Sequence, residues 1–189
     1  MIEMRIHGRG GQGAVTSSKI AGVAVSLEGK YVQALPFYGF ERRGAPVRVF
    51  LRLDEEPIYI ASRVYEPDGI LCLDPILATT PEVVAAGMKD KGFAILNTNK
   101  SFDEIYELYE KAGVKLGKLA TVDATGIALK TIGAPITNTA ILGSFCNMTG
   151  FLKMNFLFDG IRQVLPPRFH QSNIAACQMS YDQTKIKEF

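Results

Sequence analysis

A glycine-dense segment near the N-terminus is the part of the sequence best suited to binding a ligand. Gly8, Gly10 and Gly13 fit the spacing G-x-G-x-x-G, and Gly11 adds a fourth glycine. Glycine lacks a Cβ atom, so its backbone can adopt positive φ and approach a ligand closely. A helix predicted to begin at Gln12 would add free N–H groups and the positive end of its dipole. The segment therefore predicts a site for an anion such as a phosphate or a carboxylate.

Two polar side chains could contribute to such a site. Arg9 supplies a fixed positive charge, and Thr16 places a hydroxyl in the first turns of the predicted helix. The glycines also have a second interpretation, in which they only allow the strand to pack tightly against the helix or against another subunit. The residues by themselves leave both interpretations open.

A dinucleotide is a third candidate ligand, because G-x-G-x-x-G between a strand and a helix is typical of NAD-binding folds. Such folds also carry an acidic residue about 20 residues further on, where it binds the ribose hydroxyls. That position falls at Gln33, Ala34 and Leu35, none of which is acidic. An independent Rossmann-type NAD(P)-dependent oxidoreductase is therefore kept only as an alternative.

A second unusual segment, residues 37–46, combines aromatic, charged and glycine residues in a predicted loop. Arg42 and Arg43 could bind a carboxylate or a phosphate through forked hydrogen bonds, or pair with an acidic residue of a partner. Glu41 could hold one of these guanidinium groups in place, and Gly44 follows them. Three aromatic side chains in one loop favour an interface over a solvated loop that binds nothing.

Short apolar runs alternating with helical patterns predict the elements that position both segments. A strand ends at His7, a helix covers 12–27 and a second strand covers 31–35, an order that implies a parallel pair with a crossover helix. Residues 47–53 alternate regularly as a strand, with Val47, Val49, Leu51 and Leu53 on one side, and residues 58–61 are predicted to return antiparallel to it. Ligands bind beyond the carboxyl ends of parallel strands, so the two unusual segments should converge there.

The remaining sequence continues this pattern. It is predicted to contain three further strands, at 70–73, 93–96 and 119–122. Ser101 and Glu104 fit a capping box at the start of a helix, and the chain after Thr125 is mainly helical, with a polar tail expected to fray. The whole pattern predicts an α/β fold with a single domain over residues 1–189. Its sheet is expected to be mixed but mostly parallel, flanked by helices, with an antiparallel hairpin portion.

Composition and missing motifs exclude several classes of function. The formal net charge of +2 over 189 residues is too balanced to imply a nucleic-acid partner. The apolar stretches are too short to span a membrane, and the absence of a secretory signal predicts a cytoplasmic protein. The cysteines form no CxxC pair, so no metal or iron–sulfur site is expected. His7 lies beside the glycine turn and could be functional, but a satisfied, partly buried histidine is the favoured interpretation. His170 is predicted to be an ordinary helix-start residue. No catalytic residue is predicted, which favours a subunit role.

Four stretches of the chain, taken in order, resemble a known family. They are residues 8–16, 38–49, 138–143 and 165–176. The first two read Gly-Arg-Gly-Gly-Gln-Gly and Tyr-Gly-Phe-Glu-Arg-Arg-Gly, and they are similar to the gamma domain of pyruvate:ferredoxin oxidoreductase and related 2-oxoacid oxidoreductases. The resemblance extends over essentially the whole chain. It departs from the family at residues 45–46, where Ala-Pro follows Gly44.

The resemblance implies a subunit of a larger enzyme. Complexes of this family oxidise a 2-oxoacid with thiamine diphosphate, transfer the acyl group to coenzyme A, and pass electrons through iron–sulfur clusters to ferredoxin or another acceptor. It implies partner subunits of alpha, beta and delta types that hold thiamine diphosphate and the clusters, and an isolated gamma chain that is inactive. It also implies a contact with coenzyme A at residues 8–13, Thr16 and residues 41–44. A ligand-free assembly module is the alternative, and the 2-oxoacid cannot be read from this chain.

Overall fold

The computed structural model describes residues 1–37 and 44–189. The described strands are β1 Ile2–Arg9, β2 Tyr31–Phe37, β3 Pro46–Asp54, β4 Gly69–Cys72, β5 Gly92–Asn97, β6 Leu116–Val122 and β7 Lys185–Glu188. The described helices are α1 Ala14–Leu27, α2 Pro81–Val84, α3 Phe102–Lys111, α4 Ala124–Thr131, α5 Ala140–Thr149, α6 Met154–Val164 and α7 His170–Gln183. These elements confirm the predicted α/β fold with helices around a mixed sheet.

The strands form one seven-stranded sheet in the order β2-β3-β1-β4-β5-β6-β7. Strands β1, β4, β5 and β6 are parallel, whereas β2 and β3 form an antiparallel hairpin and β7 runs antiparallel to β6. β3 also pairs antiparallel with β1. The predicted combination of a parallel core with an antiparallel hairpin portion is therefore confirmed.

Three details of the predicted topology are wrong. β1 and β2 run in the same direction but are not neighbours, because β3 folds back between them. Residues 58–61 form no strand, since the chain from Glu55 to Asp68 crosses to β4 without regular structure. The polar tail does not fray, because it pairs with β6 as the edge strand β7.

Apolar side chains on the two faces of the sheet make two cores. Val49, Leu51 and Leu53 of β3 share one face, as predicted, and are buried in the larger core against α1. Phe50 and Arg52 on the other face of β3 are buried too. Helices α1 and α6 pack closely there and leave no room for a side chain at Gly160. A Cβ atom at that position would lie only 2.8 Å from the Ile20 carbonyl oxygen. The smaller core, on the opposite face, includes Tyr109 of α3.

The predicted capping box is present at the start of α3. The Ser101 hydroxyl accepts a hydrogen bond from the Glu104 N–H, and the Glu104 carboxylate accepts one from the Ser101 N–H. In the described part of the chain, no helix has the length and apolar character needed to cross a membrane.

Candidate functional site

The glycine segment forms a tight turn between β1 and α1. Gly11 and Gly13 have φ values of 95° and 85°, and Gly13 is the residue that precedes the first turn of α1. Gly13 also approaches Asn138 so closely that a Cβ atom there would lie 2.6 Å from the Asn138 side-chain nitrogen. Ser17 fixes the same approach, since its hydroxyl donates a 2.8 Å hydrogen bond to the Asn138 carbonyl. The turn therefore requires glycine for both conformation and space.

This turn leaves a row of backbone N–H groups without acceptors in the described structure. The first amide of α1 that finds a helical partner is that of Ser17, which donates to the Gly13 carbonyl at 2.8 Å. The preceding amides with no acceptor belong to Gly11, Gly13, Ala14, Val15 and Thr16. They lie at the positive end of the helix dipole, so the arrangement can accept an oxyanion.

Arg9 and Gln12 do not extend freely from the turn, because both bind Asp74. The Arg9 Nε atom lies 3.4 Å from Asp74 Oδ2, and Gln12 Nε2 donates to the same oxygen at 2.6 Å. Gln12 Oε1 in turn accepts a 2.7 Å hydrogen bond from the Arg9 N–H. Arg9 is thus partly neutralised by an internal carboxylate, and Gln12 acts as a strut across the turn.

Asp74 is the residue of this site that sequence reasoning missed. It is buried, and its second oxygen accepts hydrogen bonds from the N–H groups of Ile76 and Leu77 at 3.0 and 2.8 Å. Its position just beyond β4, the parallel neighbour of β1, places it at the carboxyl edge of the sheet. The sequence feature that could have identified Asp74 is an acidic residue that follows a buried strand.

The second unusual segment reaches the glycine turn at its described end. Gly44 N–H donates to the Gly10 carbonyl at 3.2 Å, and Gly10 N–H donates to the Ala45 carbonyl at 2.8 Å. The Arg9 Nη1 atom donates to the Gly44 carbonyl at 3.3 Å. The expected convergence is therefore confirmed for Gly44. The candidate residues Glu41, Arg42 and Arg43 lie outside the described residues.

His7 is more deeply buried than expected, and its Nε2 atom has no hydrogen-bond partner among the described residues. For this atom the expectation of a satisfied histidine is wrong. Burial lowers the pKa of His7 to about 3, with further lowering from the positive charges of Arg5 and Arg48. The imidazole is consequently neutral at pH 7. His170 is the ordinary helix-start residue that was predicted, with Nε2 2.7 Å from the Leu165 carbonyl oxygen.

The cysteines are all buried and unpaired in disulfides. Burial raises the pKa of the Cys72 thiol to about 12 and raises the pKa values of Cys146 and Cys177 as well. Each is therefore a neutral thiol at pH 7, unsuited to act as a nucleophile. Among residues 1–37 and 44–189, no group of three His, Cys, Asp or Glu side chains could hold a metal ion.

The strand order also separates this fold from a dinucleotide-binding one. In the latter, the strand after the first crossover helix lies directly beside the first strand. Here β3 occupies that place, and β2 lies one strand further out. Together with the glycine turn, these features define an α/β domain whose first strand and helix are joined by a turn with amide donors that have no acceptor among the described residues.

The sequence places this domain in a family. The sequence pattern of pyruvate ferredoxin/flavodoxin oxidoreductase matches residues 3–183. The chain is 50% identical, over the full length of both proteins, to the pyruvate/ketoisovalerate oxidoreductases common subunit gamma of Thermococcus kodakarensis. It therefore belongs to the pyruvate ferredoxin/flavodoxin oxidoreductase family, as a gamma-type subunit.

Solved structures agree with this placement. The crystal structure of pyruvate oxidoreductase subunit PORC from Thermotoga maritima superimposes with a TM-score of 0.84 at 34% identity, covering 99% of this chain and 98% of that one. The 2-oxoglutarate:ferredoxin oxidoreductase of Magnetococcus marinus, with 2-oxoglutarate, coenzyme A and succinyl-CoA bound, shares the fold at a TM-score of 0.68 and 17% identity. That match covers 96% of this chain and 30% of the other, so the same fold occurs there within a longer polypeptide.

Proposed function

We propose that this gamma subunit contacts the anionic part of coenzyme A within a 2-oxoacid oxidoreductase complex. The complex oxidises a 2-oxoacid to acyl-CoA and passes the electrons to ferredoxin or another acceptor. The observation that carries the proposal is the row of N–H groups, at Gly11 and at residues 13–16, that have no acceptor among the described residues. Coenzyme A is rich in phosphate groups, which are the ligands that a glycine turn at a helix N-terminus binds best.

Side chains around the turn add further groups that can bind an anion. The Thr16 hydroxyl lies one residue before the first helix-bonded amide, and the described structure gives it no hydrogen-bond partner, so it is available to a phosphate oxygen. Arg42 and Arg43 belong to the segment whose end, Gly44, is hydrogen-bonded to the turn, and we assign them to the same ligand. The bound coenzyme A in the Magnetococcus marinus relative supports the ligand class.

Thiamine diphosphate and the iron–sulfur clusters are placed on partner subunits of alpha, beta and delta types. This chain's own contribution is to bind, orient and assemble. Its cysteines are buried, and the amide donors of the glycine turn suit an anion rather than a cluster. Because the Thermococcus kodakarensis relative is named for both pyruvate and ketoisovalerate, we propose a pyruvate or branched-chain 2-oxoacid as substrate.

One observation favours a second function, a gamma subunit that assembles the complex and binds no ligand. Arg9 is paired with Asp74, so the turn lacks an uncommitted cation among the described residues. In this alternative the free amides would meet acceptor groups of a partner subunit. The two functions predict different hydrogen exchange. If the turn binds coenzyme A, these amides become protected when coenzyme A is added, and if it only contacts a partner subunit, assembly alone protects them.

The substitution Thr16→Val in the assembled complex tests the coenzyme A contact. It removes one hydroxyl without changing the shape of the side chain, and a hydrogen bond to a charged group is worth about 1.5–3 kcal/mol. We expect KM for coenzyme A to rise at least about tenfold with kcat unchanged, as when binding alone is lost. Arg42→Ala should act in the same direction.

Thr131→Val is the matched control, because its hydroxyl binds the Ile127 carbonyl within α4 and not the turn. Hydrogen exchange of residues 11–16 in the complex, with and without coenzyme A, provides a second readout. Unchanged KM values together with amides protected before coenzyme A is added would favour the ligand-free alternative. A panel of 2-oxoacids assayed on the same preparation would identify the substrate.

A further inference from the structure

The connection between β3 and β4 exposes several large apolar side chains. Tyr59 is 90% exposed, Tyr65 is 71% exposed and Ile60 is 46% exposed. All three lie in residues 55–68, which have no regular secondary structure. Connections longer than about 12 residues are uncommon in compact domains and are often functional. Clustered exposed apolar side chains mark interaction sites.

This connection is nevertheless fixed to the sheet by a buried guanidinium group. Arg52 of β3 is 2% exposed, and its Nη1 atom donates to the Ser62 carbonyl at 2.6 Å and to Gln33 Oε1 at 2.9 Å. Its Nε atom forms a 2.8 Å ion pair with Glu3. Val64 is buried beside this anchor. The backbone of the connection is therefore tied to the sheet at Ser62, between the two tyrosines, which lowers the entropic cost of binding a partner there.

The charges around these side chains restrict what can cover them. Glu55, Glu56 and Glu66 are exposed, and the described residues place no cation within ion-pair distance of them. The nearest basic residue in the connection, Arg63, stacks its guanidinium over the Phe37 ring at 4.2 Å. The connection therefore carries exposed apolar side chains and exposed carboxylates within the same short segment.

We propose that Tyr59, Ile60 and Tyr65, here named the tyrosine surface, dock onto a companion subunit of the oxidoreductase. The partner would present an apolar groove edged by lysine or arginine side chains, complementary to the exposed carboxylates of Glu55, Glu56 and Glu66. Pairing with a second copy of this chain is disfavoured, because a two-fold contact would bring each copy's own carboxylates together. The proposal rests on membership of a multi-subunit family and is independent of coenzyme A binding.

A competition experiment with the double variant Tyr59→Ser/Tyr65→Ser tests this proposal. Wild-type and variant chains are expressed together with tagged companion subunits, and their ratio in the purified complex is measured by intact mass against their ratio in the unbound pool. Aromatic anchors at the centre of an interface carry much of its affinity. We expect the double variant to be depleted in the complex at least about tenfold.

Leu129→Ser is the control, since Leu129 is 52% exposed on α4, a helix that packs in the larger core on the other face of the sheet. That variant should enter the complex at parity with wild type. The double variant must also keep the wild-type melting temperature, so that depletion reports docking. Parity for the folded double variant would overturn the proposal. A second outcome would also overturn it: the wild-type chain forms a homodimer, the double variant does not, and both enter the complex equally. The tyrosine surface would then contact a second copy of this chain.

Discussion

Replacing Gly13 with alanine will destabilise the protein by about 2–5 kcal/mol. The left-handed backbone at φ 85° costs a residue with a Cβ atom about 1–2 kcal/mol. The new Cβ atom would also lie 2.6 Å from the Asn138 side-chain nitrogen, and such overpacking adds about 1–3 kcal/mol. For a chain of this size the melting temperature should fall by roughly 5–15 °C, which thermal unfolding followed by circular dichroism would measure.

Gly11→Ala separates the two contributions to this loss. Gly11 has a similar φ of 95°, but a Cβ atom there would meet nothing within 4 Å. Its substitution should therefore cost only the backbone strain, about 1–2 kcal/mol. If the two variants were equally stable, the close approach of Asn138 would not be what requires glycine at position 13.

Much of the glycine turn could be predicted from the local sequence, because its backbone conformation requires glycine at particular positions. The spacing of Gly8, Gly10 and Gly13 predicted a turn between a strand and a helix, and the strict alternation in β3 predicted its buried face. The residues that complete the turn could not be found in this way. Gln12 meets Asp74 across 62 positions, and Ser17 meets Asn138 across 121, so neither contact leaves a local pattern.

The errors in predicted topology have a similar cause. The position of β3 between β1 and β2 depends on two antiparallel ladders whose partners are distant in sequence. Residues 58–61 have the apolar, β-branched and aromatic composition of a strand, yet Tyr59 and Ile60 are exposed. A pattern of residue types cannot distinguish a side chain that is apolar because it faces the core from one that is apolar because it faces a partner.

Acidification will destabilise the protein through His7. The folded-state pKa of about 3 lies below the ordinary value of 6.5, because burial and the charges of Arg5 and Arg48 disfavour the imidazolium form. Between these two pH values the unfolded chain binds the proton and the folded chain does not, so stability is complete above about pH 6.5 and falls with decreasing pH. Each pH unit in this window is worth about 1.4 kcal/mol. Between about pH 7 and about pH 4.5 we expect His7 to account for a loss of roughly 2–3 kcal/mol.

Urea unfolding of the wild type and of His7→Gln across this range isolates the contribution of the histidine. Carboxylates titrate in both proteins, so their effect cancels in the difference between the two pH profiles. The free energy of unfolding of His7→Gln should depend less steeply on pH, by about 1 kcal/mol per unit near pH 5. Parallel profiles would show that the folded-state pKa of His7 equals its unfolded value, so that burial near Arg5 and Arg48 does not disfavour the imidazolium form.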